Sequence, residues 1–91
     1  MNLPLLYHPA VKTEDLPAIP SNIKKRIKRA IEERLMTEPL KFGEPLRRSL
    51  KGYRKLRVGN YRIIYKITRD SIIVLKIGHR KEVYSQVDTR L

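Results

Sequence analysis

The sequence predicts a single α+β domain over residues 1–91, built as two layers. Three observations carry this expectation. Ile23, Ile27, Ile31 and Leu35 recur every four residues, which lines one side of a helix with apolar side chains. Beyond Gly52 the apolar period falls to two, the signature of strands. A chain of 91 residues can bury one core but not two. Helices grouped before a run of hairpin-connected strands imply helices packed on one side of an antiparallel sheet.

The elements follow in order. Leu3 to Tyr7 reads as a short first strand ended by His8-Pro9, and it must pair with the sheet to satisfy its backbone. Pro9, Pro17 and Pro20 leave room for one short helix at most before residue 21. Ser21 reads as an N-cap, opening a helix that Thr37-Glu38-Pro39 closes. Residues 39–52, with Pro39, Gly43, Pro45 and Gly52, read as an ordered loop. A three-strand meander follows: Tyr53 to Val58, Tyr61 to Thr68 and Ser71 to Ile77, joined by the two-residue turns Gly59-Asn60 and Arg69-Asp70. The tail, Lys81 to Leu91, is expected to form a short C-terminal helix with Val83 and Val87 on one side.

Charge narrows the function. Twenty-one Lys and Arg face 9 Asp and Glu, a formal net charge of +12 that favours polyanionic partners, nucleic acid foremost. The absence of cysteine excludes disulfides, thiolate metal sites and a Cys nucleophile, and fits a reducing cytoplasm. No signal peptide or membrane-spanning run is legible, so the expected location is cytoplasmic. No metal-binding or nucleotide-binding motif is present, and no cofactor is expected.

Alternation then sorts the strand residues. Tyr61, Ile63, Tyr65 and Ile67 are expected beneath the helix stripe, with Leu56 and Val58 beside them and Ile73, Leu75 and Ile77 on the third strand. Lys55, Arg57, Arg62, Lys66, Lys76 and, through Gly78, Arg80 then share the opposite, open face, with apolar Ile64, Ile72 and Val74 mixed among them. Between Lys41 and Lys66 there are nine Lys or Arg and one acid, Glu44. Such a face has the parts for cutting RNA, whose own 2′-OH is the nucleophile: preorganised cations stabilise charge on the phosphoryl oxygens. Acid–base help adds roughly 10² to 10⁴-fold. His79 is a possible acid or base, Tyr84 can stack on a base, and Lys81 adds a further cation for RNA.

Leu56-Arg57-Val58-Gly59-Asn60-Tyr61-Arg62-Ile63-Ile64-Tyr65, followed by Ile77-Gly78-His79-Arg80-Lys81-Glu82-Val83-Tyr84, resembles the RelE/ParE toxin superfamily, and the resemblance spans nearly the whole chain. It implies a toxin of a type II toxin–antitoxin system: a ribosome-dependent, metal-independent endoribonuclease that cleaves mRNA and is restrained by a cognate antitoxin, often as a hetero-oligomer. By similarity, Arg62 and Arg80 match the arginines at the scissile phosphate and leaving group, and Tyr84 the tyrosine that orients the nucleotide. Lys55 and Arg57 fall where the family places its basic strand residues, one acting as base, with Arg54 as rival if the register slips by one. The ParE-like branch shares the fold, is directed at DNA gyrase and generally lacks this catalytic set.

Overall fold

The structure, a computed structural model, describes residues 3–85 and 87–91, with the backbone alone at Ser49 and Asp88. Helix α1 spans Ser21–Ala30 and runs into a π-helical turn, Ile31–Leu35, closed by the Met36 N–H donating to the Ile31 carbonyl at 3.0 Å. The π turn has a physical use here. Apolar residues four apart drift by about 40° per step on a helix of 3.6 residues per turn. A wider turn takes back part of that drift and keeps Ile31 and Leu35 buried in line with Ile27. Ser21 is the first helical residue rather than the N-cap expected for it. Pro20 occupies the cap, and its carbonyl accepts from the Ile23 and Lys24 N–H groups at 3.0 Å each.

Five strands form one mixed sheet in the order β1-β5-β4-β3-β2. They are β1 (Leu5–Tyr7), β2 (Glu44–Pro45), β3 (Arg54–Val58), β4 (Tyr61–Ile67) and β5 (Ile72–His79). β1 lies parallel to β5, and the other neighbours are antiparallel. The loop expected over residues 39–52 is more structured than its sequence announces: it holds helix α2 (Pro39–Phe42), β2 and a 3₁₀ turn at Arg48–Leu50. Val58 faces Tyr61 across a two-residue turn, and Gly59 sits at φ 59°. A positive φ at the first central position is what a type II′ hairpin turn asks of glycine.

β5 departs from simple alternation. Ile64 pairs with Lys76 and Tyr65 with Val74, so Leu75 is an extra residue, a β-bulge. The bulge reverses the facing of the first half of the strand. Ile72 and Val74 join the core under α1, whereas Leu75 packs on the other side of the sheet. The expected inward set Ile73, Leu75 and Ile77 therefore holds only for Ile77, and Ile64, Ile72 and Val74 are not the exposed apolar anchors expected of them: all three are buried.

Two cores result. The larger lies between α1 and the sheet, joining Ile27, Ile31 and Leu35 to Leu56, Ile63 and Tyr65. The smaller, on the far face, gathers Leu50, Ile64, Leu75, Val83 and Val87. The C-terminal residues cover that core through turns and a short 3₁₀ segment, Val87–Arg90, with Val83 and Val87 both buried as the sequence proposed. Beyond Val74 the outer edge of β5 has no strand beside it among the described residues. An ion pair takes the strand's place. Asp15 Oδ2 accepts from the Ile77 N–H at 2.9 Å, and Arg90 Nη1 donates to the Leu75 carbonyl at 3.1 Å. The two side chains join bidentately at 2.6 and 2.8 Å, both more than nine-tenths buried.

Candidate functional site

Cross-strand pairing sets which side chains share the far face. Arg57, Arg62 and Gly78 stand in one row across β3, β4 and β5, and Lys55, Ile64 and Lys76 in the next. Like charges directly opposite one another destabilise a sheet. The Arg57–Arg62 pairing is thus a local cost that the fold does not need.

The turn end of this face collects arginines. Arg62 curls toward the Gly59-Asn60 turn, where its Nη1 donates to the carbonyls of Gly59 at 3.0 Å and Tyr61 at 2.8 Å. Arg80 continues β5 past His79, its backbone N–H donating to the Asn60 carbonyl at 2.7 Å. Both arginines are therefore fixed against the same two-residue turn. Arg80 and Arg57 expose their side chains. Neither guanidinium has a hydrogen-bond or ion-pair partner among the described residues, while the Arg57 carbonyl accepts from Arg34 Nη1 at 3.3 Å.

The middle of the face is less open than alternation implies. Lys55 Nζ lies 3.8 Å from Glu44 of β2, Lys66 Nζ sits 5.3 Å from the Tyr53 ring centroid, and Lys76 Nζ donates to the Ser85 carbonyl at 2.8 Å. These three lysines are on the expected face, but each is engaged with a neighbour. Val83 rests over Gly78, where an added Cβ would stand 3.5 Å from it. Tyr84 follows Val83 and is exposed, as is Lys81.

Two candidates stand elsewhere. His79 pairs with Tyr61, and so belongs to the side of the sheet that carries α1. Its ring meets the Tyr61 ring edge-on at 5.6 Å, and its Nδ1 accepts from the Lys81 N–H at 3.2 Å. Parity thus takes the expected acid or base away from the Arg57–Arg62 row. Arg54 is the second case, since it pairs with Tyr65 beneath the helix layer. Its Nη2 donates to the carbonyls of Leu40 at 3.0 Å and Gly43 at 2.6 Å. The register of β3 puts Lys55 and Arg57 on the far side and Arg54 beneath the helix layer.

Residues that the sequence did not single out hold this frame. The Tyr65 hydroxyl donates to the Pro39 carbonyl at 2.7 Å, and burial pushes its pKa above the ordinary tyrosine value. Gly43 is buried against that hydroxyl, and any Cβ there would collide with it. The Asp15–Arg90 pair holds the tail, and the hydrogen bonds that Arg90 donates to the Asp15 carboxylate raise the Arg90 pKa further. Among the described residues, no group of three or more His, Cys, Asp or Glu stands where it could hold a metal ion. No helix among them is long and apolar enough to cross a membrane.

Comparison with known proteins places the chain. The family described as the ParE toxin of type II toxin–antitoxin systems matches residues 5–84. Toxin RelE3 of Methanocaldococcus jannaschii is 39% identical over 74 residues, covering 78% of this chain and 84% of that protein. Toxin RelG of Mycobacterium tuberculosis is 35% identical over 72 residues, covering 77% and 83%. Among solved structures, the toxin–antitoxin complex RelBE2 from M. tuberculosis superposes with a TM-score of 0.79 at 29% identity, covering 88% of this chain and 100% of that one. A mutant of E. coli toxin RelE in the free state gives a TM-score of 0.74 at 19% identity over 99% and 94% of the two chains, a likeness of fold alone. The order of strands, the short amphipathic helix and the sequence matches agree, and the chain belongs to the RelE/ParE superfamily of type II toxin–antitoxin toxins.

Proposed function

We propose that this toxin is a metal-independent endoribonuclease that cleaves mRNA on the ribosome. One observation carries the reading: Arg57 and Arg62 face one another on the far side of the sheet, Arg80 leaves β5 against the same turn, and among the described residues no acid is paired to any of them. Like charges held together at a cost to the fold are explained by a polyanion that relieves the repulsion.

In the proposed reaction the 2′ oxygen of the substrate attacks the adjacent phosphorus, forming the 2′-O–P bond and breaking the bond to the 5′ oxygen. The 2′ proton passes to a base, and the departing 5′ oxygen takes up a proton. Arg62 and Arg80 balance the charge that grows on the phosphoryl oxygens, and Tyr84 orients the nucleotide by stacking. Lys55 and Arg57, both on β3 and both on the far face, are the candidates for the group at the 2′-OH. Metal independence is supported by the donor set, since the site is built from cations rather than clustered carboxylates. Two of the solved relatives, from M. tuberculosis and Methanococcus jannaschii, are toxin–antitoxin complexes, which supports a cognate antitoxin as the protein partner and a hetero-oligomer as the resting form.

Single-turnover cleavage of mRNA on programmed ribosomes tests the reading. Arg62→Ala and Arg80→Ala should each slow it by roughly 10² to 10³-fold, the loss expected for one preorganised donor, with unchanged circular dichroism. Cleavage should persist in excess chelator while the ribosomes are kept intact. Variants that cut as fast as the wild type would remove the catalytic assignment. A gyrase-directed activity is the second reading, favoured by the ParE description of the matching family. It predicts intact messages and inhibited supercoiling in the same preparations.

A further inference from the structure

The last residues of the chain do more than close the small core. After His79 the backbone leaves β5 through tight turns, in which the Glu82 and Val83 N–H groups donate to the His79 carbonyl at 2.9 and 2.8 Å. No helix of regular length stiffens this stretch, which carries Arg80, Lys81 and Tyr84 exposed on either side of Val83, itself packed on the far face. Its rigidity has to come from what pins it. Both neighbours of Tyr84 are held: Val83 is fully buried over Gly78, and the Ser85 carbonyl accepts from Lys76.

Lys76 lies between Leu75 and Ile77, the two residues whose backbones are gripped by Arg90 and Asp15. The ion pair therefore fixes the tail twice, at its far end directly and beside Tyr84 through Lys76. A buried ion pair is a weak source of net stability compared with apolar residues of the same volume. Its value lies in geometry, because the bidentate fork fixes both distance and angle.

We propose that Asp15 and Arg90 are positioning residues that hold Tyr84 in place over the far face through the clamped segment of β5. The proposal rests on the RNA-cleavage reading for its catalytic half, and stands apart from it for the pinning of the tail.

Amide hydrogen exchange on the full chain tests the pinning without reference to activity. Arg90→Ala should speed exchange at Ile77, Val83 and Ser85 while the amides of Ile27 and Ala30 in α1 keep their protection. Should that variant fail to fold, Asp15→Asn and Arg90→Lys keep part of the hydrogen bonding and should show the same pattern more weakly. Unchanged exchange at Val83 and Ser85 in a folded variant overturns the proposal whether or not the chain cleaves RNA.

The catalytic half is read from a double-mutant cycle on programmed ribosomes. Arg90→Lys should slow single-turnover cleavage roughly 10- to 100-fold, as misplacement of about an ångström does, with RNA affinity unchanged. In a Tyr84→Ala background the same substitution should slow cleavage no further. Additive losses would show that the pair acts on stability alone and overturn the positioning role. A wild-type chain that cleaves nothing overturns the RNA reading and this catalytic half with it, while exchange still decides the pinning.

Discussion

The two faces of the sheet are held in different ways. On the α1 side, Leu56, Ile63, Tyr65 and Val74 meet a continuous apolar stripe, and burial supplies the stability. On the far side a few apolar residues form an island, Ile64 and Leu75 under Val83 and Val87, with cations around it fastened to carbonyls, a carboxylate or an aromatic ring. The first face is built for cohesion. The second accepts repulsion between Arg57 and Arg62 and holds its covering segment with specific polar contacts. On the proposed reading, the repulsion between Arg57 and Arg62 is what a polyanionic ligand would relieve.

That contrast can be broken or sharpened by substitution. The largest effect should come from Tyr65→Ala, which removes a fully buried ring from the helix-side core and leaves the Pro39 carbonyl without its donor. We expect a loss of about 3–5 kcal/mol by urea denaturation, and a comparable loss from any far-face arginine would erase the distinction. Gly43→Ala follows, since its methyl would meet the Tyr65 hydroxyl and force the α2–β2 segment outward. Overpacking of this kind costs roughly 1–3 kcal/mol, visible as a lower Tm.

Alkaline titration sharpens the same point. The folded-state pKa of Tyr65 is raised, chiefly by burial, so the neutral hydroxyl is favoured in the fold. Its contribution is complete below the ordinary tyrosine value of about 10 and is lost as pH rises through the elevated folded value. Tyr65→Phe should flatten that part of the stability profile, and an unaltered profile would assign the alkaline loss to other groups. The smallest effect is expected at Arg57. Arg57→Ala removes one of two facing like charges from an exposed position and should shift stability by no more than about 0.5 kcal/mol, in the stabilising direction. A clear destabilisation in denaturant would mean that the pairing with Arg62 is favourable after all.

Much of this was legible in the chain. The spacing of Ile23, Ile27, Ile31 and Leu35, the Gly59-Asn60 turn and the alternation of Tyr61 to Ile67 each encode local geometry in a local pattern, and each is realised in the fold. Ile72-Ile73-Val74-Leu75 carries no alternation, since all four are apolar, so nothing in it marks where the extra residue falls. The misplaced facing of Leu75 and Val74 follows from that, and so does the absence of the expected apolar anchors on the far face. The alternation that carries Arg80 to the open face through Gly78 puts His79 on the helix side, where its pairing with Tyr61 places it, although its chemistry suggests a place among the far-face cations. Asp15 and Arg90 lie 75 positions apart, and a contact at that separation leaves no periodic trace. The hydrogen bonds of Arg54 and Tyr65 to the Leu40–Gly43 and Pro39 carbonyls are invisible for the same reason.

The bulge at Leu75 also divides β5 into two lengths that need not move together. One, Ile72–Val74, is registered to β1 and to the end of β4, and the other, Lys76–His79, to the start of β4 beside the arginine turn. An unpaired residue between them absorbs small shifts in strand direction that a continuous ladder would transmit. A change at the N-terminal strand, such as drift in its sequence, is thus expected to be damped before it reaches Arg62 and Arg80. On this arrangement one edge of a small protein could vary while the spacing of Arg62 and Arg80 is kept.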